Sequence, residues 1–470
     1  MAYPPCADRG CGCRRSAGGQ ILPILPADLR RELRALLALA LPVVVSRAGL
    51  LAMTTVDTVM TGRSGGDQLA YLAIGLAPFV LLMLVGAGLL TSTAVLVAQA
   101  HGAGEEPSCG RIWHTALVDA LLAGLLAMLA LRHTEWFLVA SGQTRAIAAG
   151  GGEVARMLAL GMPAMLGYIA TTLFLEGLGQ PRVGVVIIVF GNLLNVPLNQ
   201  LLIHGGLGLP PMGAAGAALA TTIVRWLMLL LIVGYALVAP SVRAFGSADG
   251  FRPCRRLQAG LLRLGVPFAV SQGLEASAFQ GLTVLCGWLG AAALAAYQIS
   301  LNVTALVFMA TVGLSTATAV RVGRGVGAAA PATAMAAAWL GVGATLATML
   351  AVAPLLALSA PTIAGVYTSD SSVLDVAAGC LGLVALLVVA DGVRGVLTGA
   401  LRGATDVWRP MVIHVAGFWL ILVPAAWLLA FPLGFGVKGL LGGILVGLTV
   451  IALLLARRLK DLPAQGLARA

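Results

Sequence analysis

The sequence predicts an all-α membrane protein of about twelve transmembrane helices in two six-helix lobes. Three observations lead there. Hydrophobic residues fill 59% of the 470 positions, charged residues only 10%, and the mean hydropathy is +0.98. Such values belong to a polytopic bundle rather than to several soluble domains. Apolar runs recur at the length of about 20 residues that a helix needs to cross a hydrocarbon core of roughly 30 Å. The second half of the chain also repeats the first at a fixed spacing.

In chain order the runs lie near 36–60, 69–99, 113–132, 154–176, 183–203 and 213–239, then near 261–288, 294–320, 334–358, 374–400, 409–431 and 436–456. Between the two sets, SVRAFGSADGFRPCRRLQ (241–258) is the longest polar, basic stretch inside the chain. It separates an N-lobe over 29–240 from a C-lobe over 259–458. Residues 1–28 read as a disordered cytoplasmic tail without the apolar core of a signal peptide. Residues 459–470 read as a second cytoplasmic tail. LALPVVVS (39–46) resembles LGVPFAVS (264–271) at an offset of 225, and TSTAV (91–95) matches TATAV (316–320) at the same offset, which Gly102 and Gly327 also keep. Six spans per repeat is an even number, so both halves enter from one side. The repeats are therefore parallel, related by an axis along the membrane normal.

Charge sets the orientation. The net charge is +11, but the basic residues lie between apolar runs rather than on one face, which argues against nucleic acid as a partner. With both termini inside, the inside segments carry 21 of the 29 Lys and Arg. The outside segments carry five, Arg63, Arg132, Arg145, Arg156 and Lys438, and Arg47, Arg225 and Arg394 fall within spans. By the positive-inside rule both termini are cytoplasmic. The seven cysteines are scattered and odd in number, which does not read as a disulfide framework. No His pairs with a second His or Cys at ligand spacing, so no metal set is predicted beyond a coupling cation. His204 and His414 read as interfacial or cavity residues. No Gly-x-x-x-x-Gly-Lys-Ser/Thr loop is present to bind ATP.

Three acids stand inside the apolar runs: Asp57, Glu275 and Asp391. An acid at membrane depth costs about 2.5–3.5 kcal/mol on insertion scales and marks an ion or substrate pathway by default. Asp57, near the outer end of the first span, is either such a group or an interfacial acid that reaches water. Glu275 lies mid-span, where reversible protonation is a natural role. Asp391 has Arg394 three residues on, on the same helix face, so the two form either a neutralised ion pair or a gate in which a proton or cation competes with the guanidinium. Pro42 and its repeat mate Pro267 should kink their helices, as cation-site devices or as plain packing kinks. Asn192, Asn195 and Asn199 lie in the fifth span, with Asn195 and Asn199 on one face. They either glue helices or complete a polar pocket around Asp57.

Six segments together resemble the MATE (multidrug and toxic compound extrusion) family, and within it the NorM-like bacterial branch. They are VDTVMTG (56–62), LNVPLN (194–199), LGVP with LE (264–275), AAYQISLNVTALVFM (295–309), TAVRVGRGVG (318–327) and LTGALRGATD (397–406). The resemblance spans roughly 30–460. It implies a twelve-helix, two-lobed exporter of cationic amphiphilic compounds from the bacterial inner membrane, a monomer without a bound cofactor, driven by Na⁺ or H⁺. It implies that Asp57 is the N-lobe acid with Asn195 and Asn199 beside it, that Glu275 and Asp391 form a C-lobe cation site, and that Gln298 and Asn302 line the cavity. Two residues depart from the pattern. Leu387 stands where some members carry Tyr, and Arg394 sits beside the acids. The rival readings are a flippase for lipid-linked precursors, which needs a basic cavity, and an intramembrane transferase, which needs an acid cluster or a His pair; neither cluster nor pair is in the sequence.

Overall fold

The structure, a computed structural model, describes residues 26–206, 208, 210–245, 254–368 and 370–462. Most of the expected tails and of the 241–258 stretch lies outside the described residues. Of these segments, 26–28, 241–243, 255–258 and 459–461 are helical.

Among the described residues twelve long helices follow one another: α1 (Pro26–Gly62), α2 (Gly66–Gly102), α3 (Glu106–Leu131), α4 (Arg145–Gly177), α5 (Arg182–His204), α6 (Gly213–Val238), α7 (Arg255–Gly287), α8 (Ala291–Gly327), α9 (Pro331–Leu358), α10 (Ser371–Gly403), α11 (Trp408–Ala430) and α12 (Gly436–Asp461). Each predicted apolar run coincides with one of them. Ten are long and apolar enough to cross a membrane, and α4 makes an eleventh when its two pieces count as one span. α7 is 33 residues long, but its first turns carry Arg255, Arg256 and Arg263 and its middle carries Gln272 and Glu275, which dilute the apolar run. Among the described residues there is no β-strand.

Three helices are interrupted for local reasons. α2 turns at Thr91, whose hydroxyl donates to the Gly88 carbonyl at 2.7 Å. α4 bends by 44° between Leu160 and Met162, where Pro163 supplies no amide hydrogen to continue the ladder. α11 contains a π-helical segment at Gly417–Leu422. Pro42 and Pro267, by contrast, sit inside α1 and α7, which are helical on both sides of them.

The internal repeat is written into the packing between the halves. A Cβ on Gly88 of α2 would touch Ala269 of α7 at 3.0 Å, and one on Gly313 of α8 would meet the Ala40 carbonyl of α1 at 2.8 Å and the Val44 nitrogen at 3.2 Å. Gly88 and Gly313 are 225 residues apart, and so are Val44 and Ala269. α2 thus packs on α7 as α8 packs on α1. At the face where α1 begins and α12 ends, here called the termini face, the same symmetry recurs. Gly102 rests on the Arg324 carbonyl, and Gly327 rests on the Gln99 carbonyl. Gln99 Nε2 donates to the carbonyl of Gly403 at 3.2 Å, and Arg324 Nη2 donates to that of Gly177 at 3.3 Å. Gly403 ends α10 and Gly177 ends α4, where helix carbonyls lack partners of their own. Each side chain therefore reaches from one half to a helix terminus of the other. An Arg321–Glu32 ion pair joins α8 to α1 at the same face.

Packing falls into separate cores. One gathers residues of α1–α6 around Trp113, which stacks on Phe174 at 5.2 Å and donates to Thr171 at 3.1 Å. A second gathers residues of α7–α12 around Tyr297 and Phe418. A small third core, with Leu36, Ala40, Leu314, Ala317 and Val396, joins α1 to α8 and α10. Large apolar side chains such as Leu193, Leu230 and Leu420 point outward, the surface that a multi-pass protein presents to lipid.

Candidate functional site

Asp57 lies in the last turns of α1 and is buried. Its Oδ1 accepts from Asn199 Nδ2 at 2.7 Å, and its Oδ2 accepts from Thr221 Oγ1 at 2.6 Å. Asn199 also donates to Asn195 Oδ1 at 3.0 Å, and Asn195 donates to Thr221 Oγ1 at 3.2 Å. α5 presents Asn195 and Asn199 one turn apart, and α6 brings Thr221 from the other side. Hydrogen bonds to a charged group contribute roughly 1.5–3 kcal/mol each. Two of them offset an insertion cost of about 2.5–3.5 kcal/mol. Asn192 takes no part in this network. It donates to the Gly49 and Ile188 carbonyls at 3.0 and 2.8 Å and ties α5 to α1.

The second group is a triad. Arg394 donates to Asp391 Oδ1 from Nε at 2.9 Å and from Nη2 at 2.7 Å. It also donates to both oxygens of Glu275, from Nη1 at 3.2 Å and from Nη2 at 2.9 Å. The isolated Asp391–Arg394 pair considered from the sequence is thus incomplete, because one guanidinium bridges carboxylates on two helices. With both acids ionised the triad keeps one net negative charge. The Phe418 ring lies 5.5 Å from the guanidinium carbon, placed by the π-helical segment of α11. Such segments often occur at functional sites. His414, one turn earlier, meets the Thr398 hydroxyl at 3.1 Å.

Between the two groups lies a cavity of about 480 Å³, walled by α1, α2, α4, α6, α7, α8, α10 and α11. Phe79, Met83, Met165, Phe268, Phe308 and Met309 are among its lining residues. Its charged lining is Glu275, Asp406, Arg47, Arg225, Arg394 and Arg402. Asp57, Asn195 and Asn199 are not among the lining residues. The N-lobe network is therefore set back from the cavity, with Arg225, one turn beyond Thr221 on α6, standing at the wall. Gln298 and Asn302 are not among the cavity's lining residues either. Both are exposed on α8, and Asn302 Oδ1 accepts from Tyr367 at 2.7 Å. Their spacing continues the stripe of Met309 and Val312, away from the termini face. Among the described residues no group of three His, Cys, Asp or Glu side chains is placed to hold a metal ion.

The MatE family profile matches residues 42–201 and 267–428. The chain belongs to the MatE family. The second matched segment begins at 267, 225 residues after the first at 42, so the MatE match carries the same repeat as the packing. The chain is 35% identical over 438 residues to a probable multidrug resistance protein NorM of Caulobacter vibrioides, covering 92% of both chains. It is 34% identical over 447 residues to the multidrug resistance protein PmpM of Pseudomonas aeruginosa, covering 93% of this chain and 94% of that one. Among solved MatE-like folds, the eukaryotic MATE transporter AtDTX14 superposes with a TM-score of 0.83 at 23% identity, over 92% of this chain and 96% of that one. An outward-facing multidrug resistance MATE family transporter of the MOP superfamily superposes with a TM-score of 0.84 at 20% identity, over 92% and 97%.

The sequence reading missed several members of these groups. Thr221 is one hydroxyl in an Ala/Thr run and carries no signal until the helices are assembled. Phe418 depends on a π-helical segment that composition does not announce. Two further acids are buried at helix positions and were passed over. Glu176 pairs with Arg47 at 3.2 Å, and Asp119 accepts from Gln258 at 2.8 Å. The in-span arginines were the available clue, because a buried Arg calls for a partner.

Proposed function

We propose that this multi-pass membrane protein is a multidrug antiporter that exports cationic amphiphilic compounds in exchange for Na⁺ or H⁺. One observation carries the reading. A buried carboxylate, Asp57, is held by Asn199 and Thr221 beside an apolar cavity large enough for a drug-sized ligand. Names of relatives such as NorM and PmpM support drug export as the cargo class. A cation or proton taken up by Asp57 cancels the charge that its two donors now serve, which loosens the contact between α1, α5 and α6. The lobes over 29–240 and 259–458 then exchange the face to which the cavity opens, with the 241–258 stretch as linker. We place the protein as a monomer in the bacterial inner membrane, with both termini cytoplasmic and no resident cofactor. The Glu275–Arg394–Asp391 triad, which carries one net negative charge when both acids are ionised, serves the cationic end of the cargo or a second coupling ion. Gln298 and Asn302 line the path outward from the cavity.

The reading is tested in cells that lack their own exporters. Asp57→Asn should reach the membrane at wild-type levels and lose resistance to ethidium. Full resistance at matched membrane levels would remove Asp57 from the mechanism.

A further inference from the structure

The face away from the termini holds few basic residues, and they are not spread evenly. Of the five assigned to it, Arg63, Arg132, Arg145, Arg156 and Lys438, three gather around one short helix, Thr134–Ala140, between α3 and α4. Thr134 and Leu138, one turn apart, are buried. Behind them α4 offers Gly151 and Gly152, where a Cβ would meet Leu138 at 3.2 Å and Glu135 at 2.6 Å. The Glu135–Arg156 ion pair at 2.8 Å closes the same contact. The other side of the helix points away from the protein, with Trp136 74% exposed and Phe137 61%. Arg132 stands two residues before the helix and Arg145 opens α4 just after it, and both are exposed. Among the described residues neither forms an ion pair. Of the nearby acids, Glu135 is taken by Arg156, and Glu153 lies more than two turns along α4 from Arg145.

The repeat supplies a comparison. Helix Ala360–Tyr367 sits between α9 and α10 as Thr134–Ala140 sits between α3 and α4, and it exposes Val366 at 81%. Residues 357–375 contain no Lys or Arg, and Asp370 and Asp375 are among them. At the offset of 225, Arg132 corresponds to Ala357 and Arg145 to Asp370. Both halves build the short helix, and the first alone flanks it with arginines. Tryptophan beside a second apolar ring suits the boundary between acyl chains and headgroups. A helix with one buried side and one apolar exposed side can rest in that plane. Guanidinium groups at its ends then stand near phosphate depth, where a planar fork binds phosphate oxygens. A zwitterionic lipid brings its own cation to that phosphate, whereas an anionic lipid leaves its charge to the arginines. We infer that Thr134–Ala140, with Arg132 and Arg145, is a docking surface for an anionic phospholipid of the surrounding bilayer. Trp136 and Phe137 enter the interface, and the arginines hold the phosphate group. The surface lies apart from the cavity lining, so its lipid preference is independent of what the protein carries.

Trp136 itself reports the contact. The protein is reconstituted into liposomes of phosphatidylglycerol and phosphatidylcholine at varied ratio. Bromine on the acyl chains of one lipid at a time quenches tryptophan fluorescence. The difference between wild type and Trp136→Phe isolates the quenching at position 136. Phosphatidylglycerol should occupy the site about tenfold or more in preference to phosphatidylcholine. Arg132→Gln and Arg145→Gln should each lower that preference by about fivefold, the scale for one Arg near an anionic lipid surface. Val366→Trp, made together with Trp136→Phe, moves the reporter to the second helix and should show no preference. Equal quenching by the two lipids at Trp136 would overturn the inference and leave a plain interfacial anchor. A preference that survives the loss of both arginines would overturn their role. The same preference at position 366 would make it a property of the whole protein surface and overturn the site. The comparison of positions 136 and 366 leaves the arginines unchanged, so it decides the case even where an arginine variant fails to fold.

Discussion

Asp57 and Glu275 are both acids in apolar helices, yet their neighbours set them different tasks. Asp57 accepts hydrogen bonds from the neutral donors Asn199 and Thr221 and, among the described residues, forms no direct ion pair, which in the proposed mechanism leaves its charge to a coupling ion. Glu275 faces the Arg394 guanidinium at 2.9 Å, which it shares with Asp391. Removing Thr221's hydroxyl tests the first environment. Thr221→Val should cut the transport rate by about tenfold or more, since about 1.5–3 kcal/mol of hydrogen bonding to the carboxylate is lost. Asn192→Ala, one turn before Asn195, should change thermal stability and leave coupling intact, because Asn192 bonds only to backbone carbonyls. Equal transport defects in the two variants would contradict the assignment. The second environment is tested by melting in detergent. Arg394→Ala strands two carboxylates and should destabilise by about 3–5 kcal/mol. Adding Asp391→Asn should restore only part of the loss, and Glu275→Gln should be needed for the rest. Additive losses among the three would show that the side chains do not interact.

At the scale of helices, the halves are built alike but equipped differently. Positions 225 apart pair Gly88 with Gly313, Gly102 with Gly327 and Gln99 with Arg324. Position 57 maps to Leu282 and position 394 maps to Ile169, so neither acid group is repeated. The scaffold is symmetric and the chemistry is not. That division explains what the sequence could tell. Helix number and order follow from the length of apolar runs, and the repeat follows from LALPVVVS and LGVPFAVS, because span and packing leave a local signature. Asn199, Thr221 and Asp57 meet from three helices, and no local pattern records such a meeting. Arg394 was visible as a neighbour of Asp391, but its bond to Glu275 crosses 119 residues. The Gln99–Gly403 and Arg324–Gly177 bonds close the termini face from both sides of the pseudo-axis. Gln99→Ala with Arg324→Ala should open that face more often. A cysteine placed at Thr91 on the cavity wall, in a background without native cysteines, should then react faster with a membrane-impermeant reagent in inverted vesicles. Unchanged reactivity would show that these bonds do not hold the face shut.

For the whole molecule, the central idea is that two lobes exchange access to one cavity and that the charge state of Asp57 decides when. The cavity touches both lobes, with Arg225 and Phe79 on one side and Glu275, Arg394 and Arg402 on the other. Asp57 lies behind this wall, next to Arg225's helix, so a coupling ion and a cargo molecule need not occupy the same atoms. In the proposed mechanism they would communicate through α6, which carries Thr221 toward the acid and Arg225 toward the cavity. An exchanger of this kind requires that gradient and cargo be coupled and that Asp57 be the point of coupling. The most direct measurement uses liposomes loaded with ethidium, in which Na⁺ and pH gradients are imposed one at a time. Wild-type protein should drive ethidium against its own gradient under at least one of the two. Asp57→Asn should bind ethidium normally and drive none under either. Gradient-driven transport by Asp57→Asn at the wild-type rate would contradict the account.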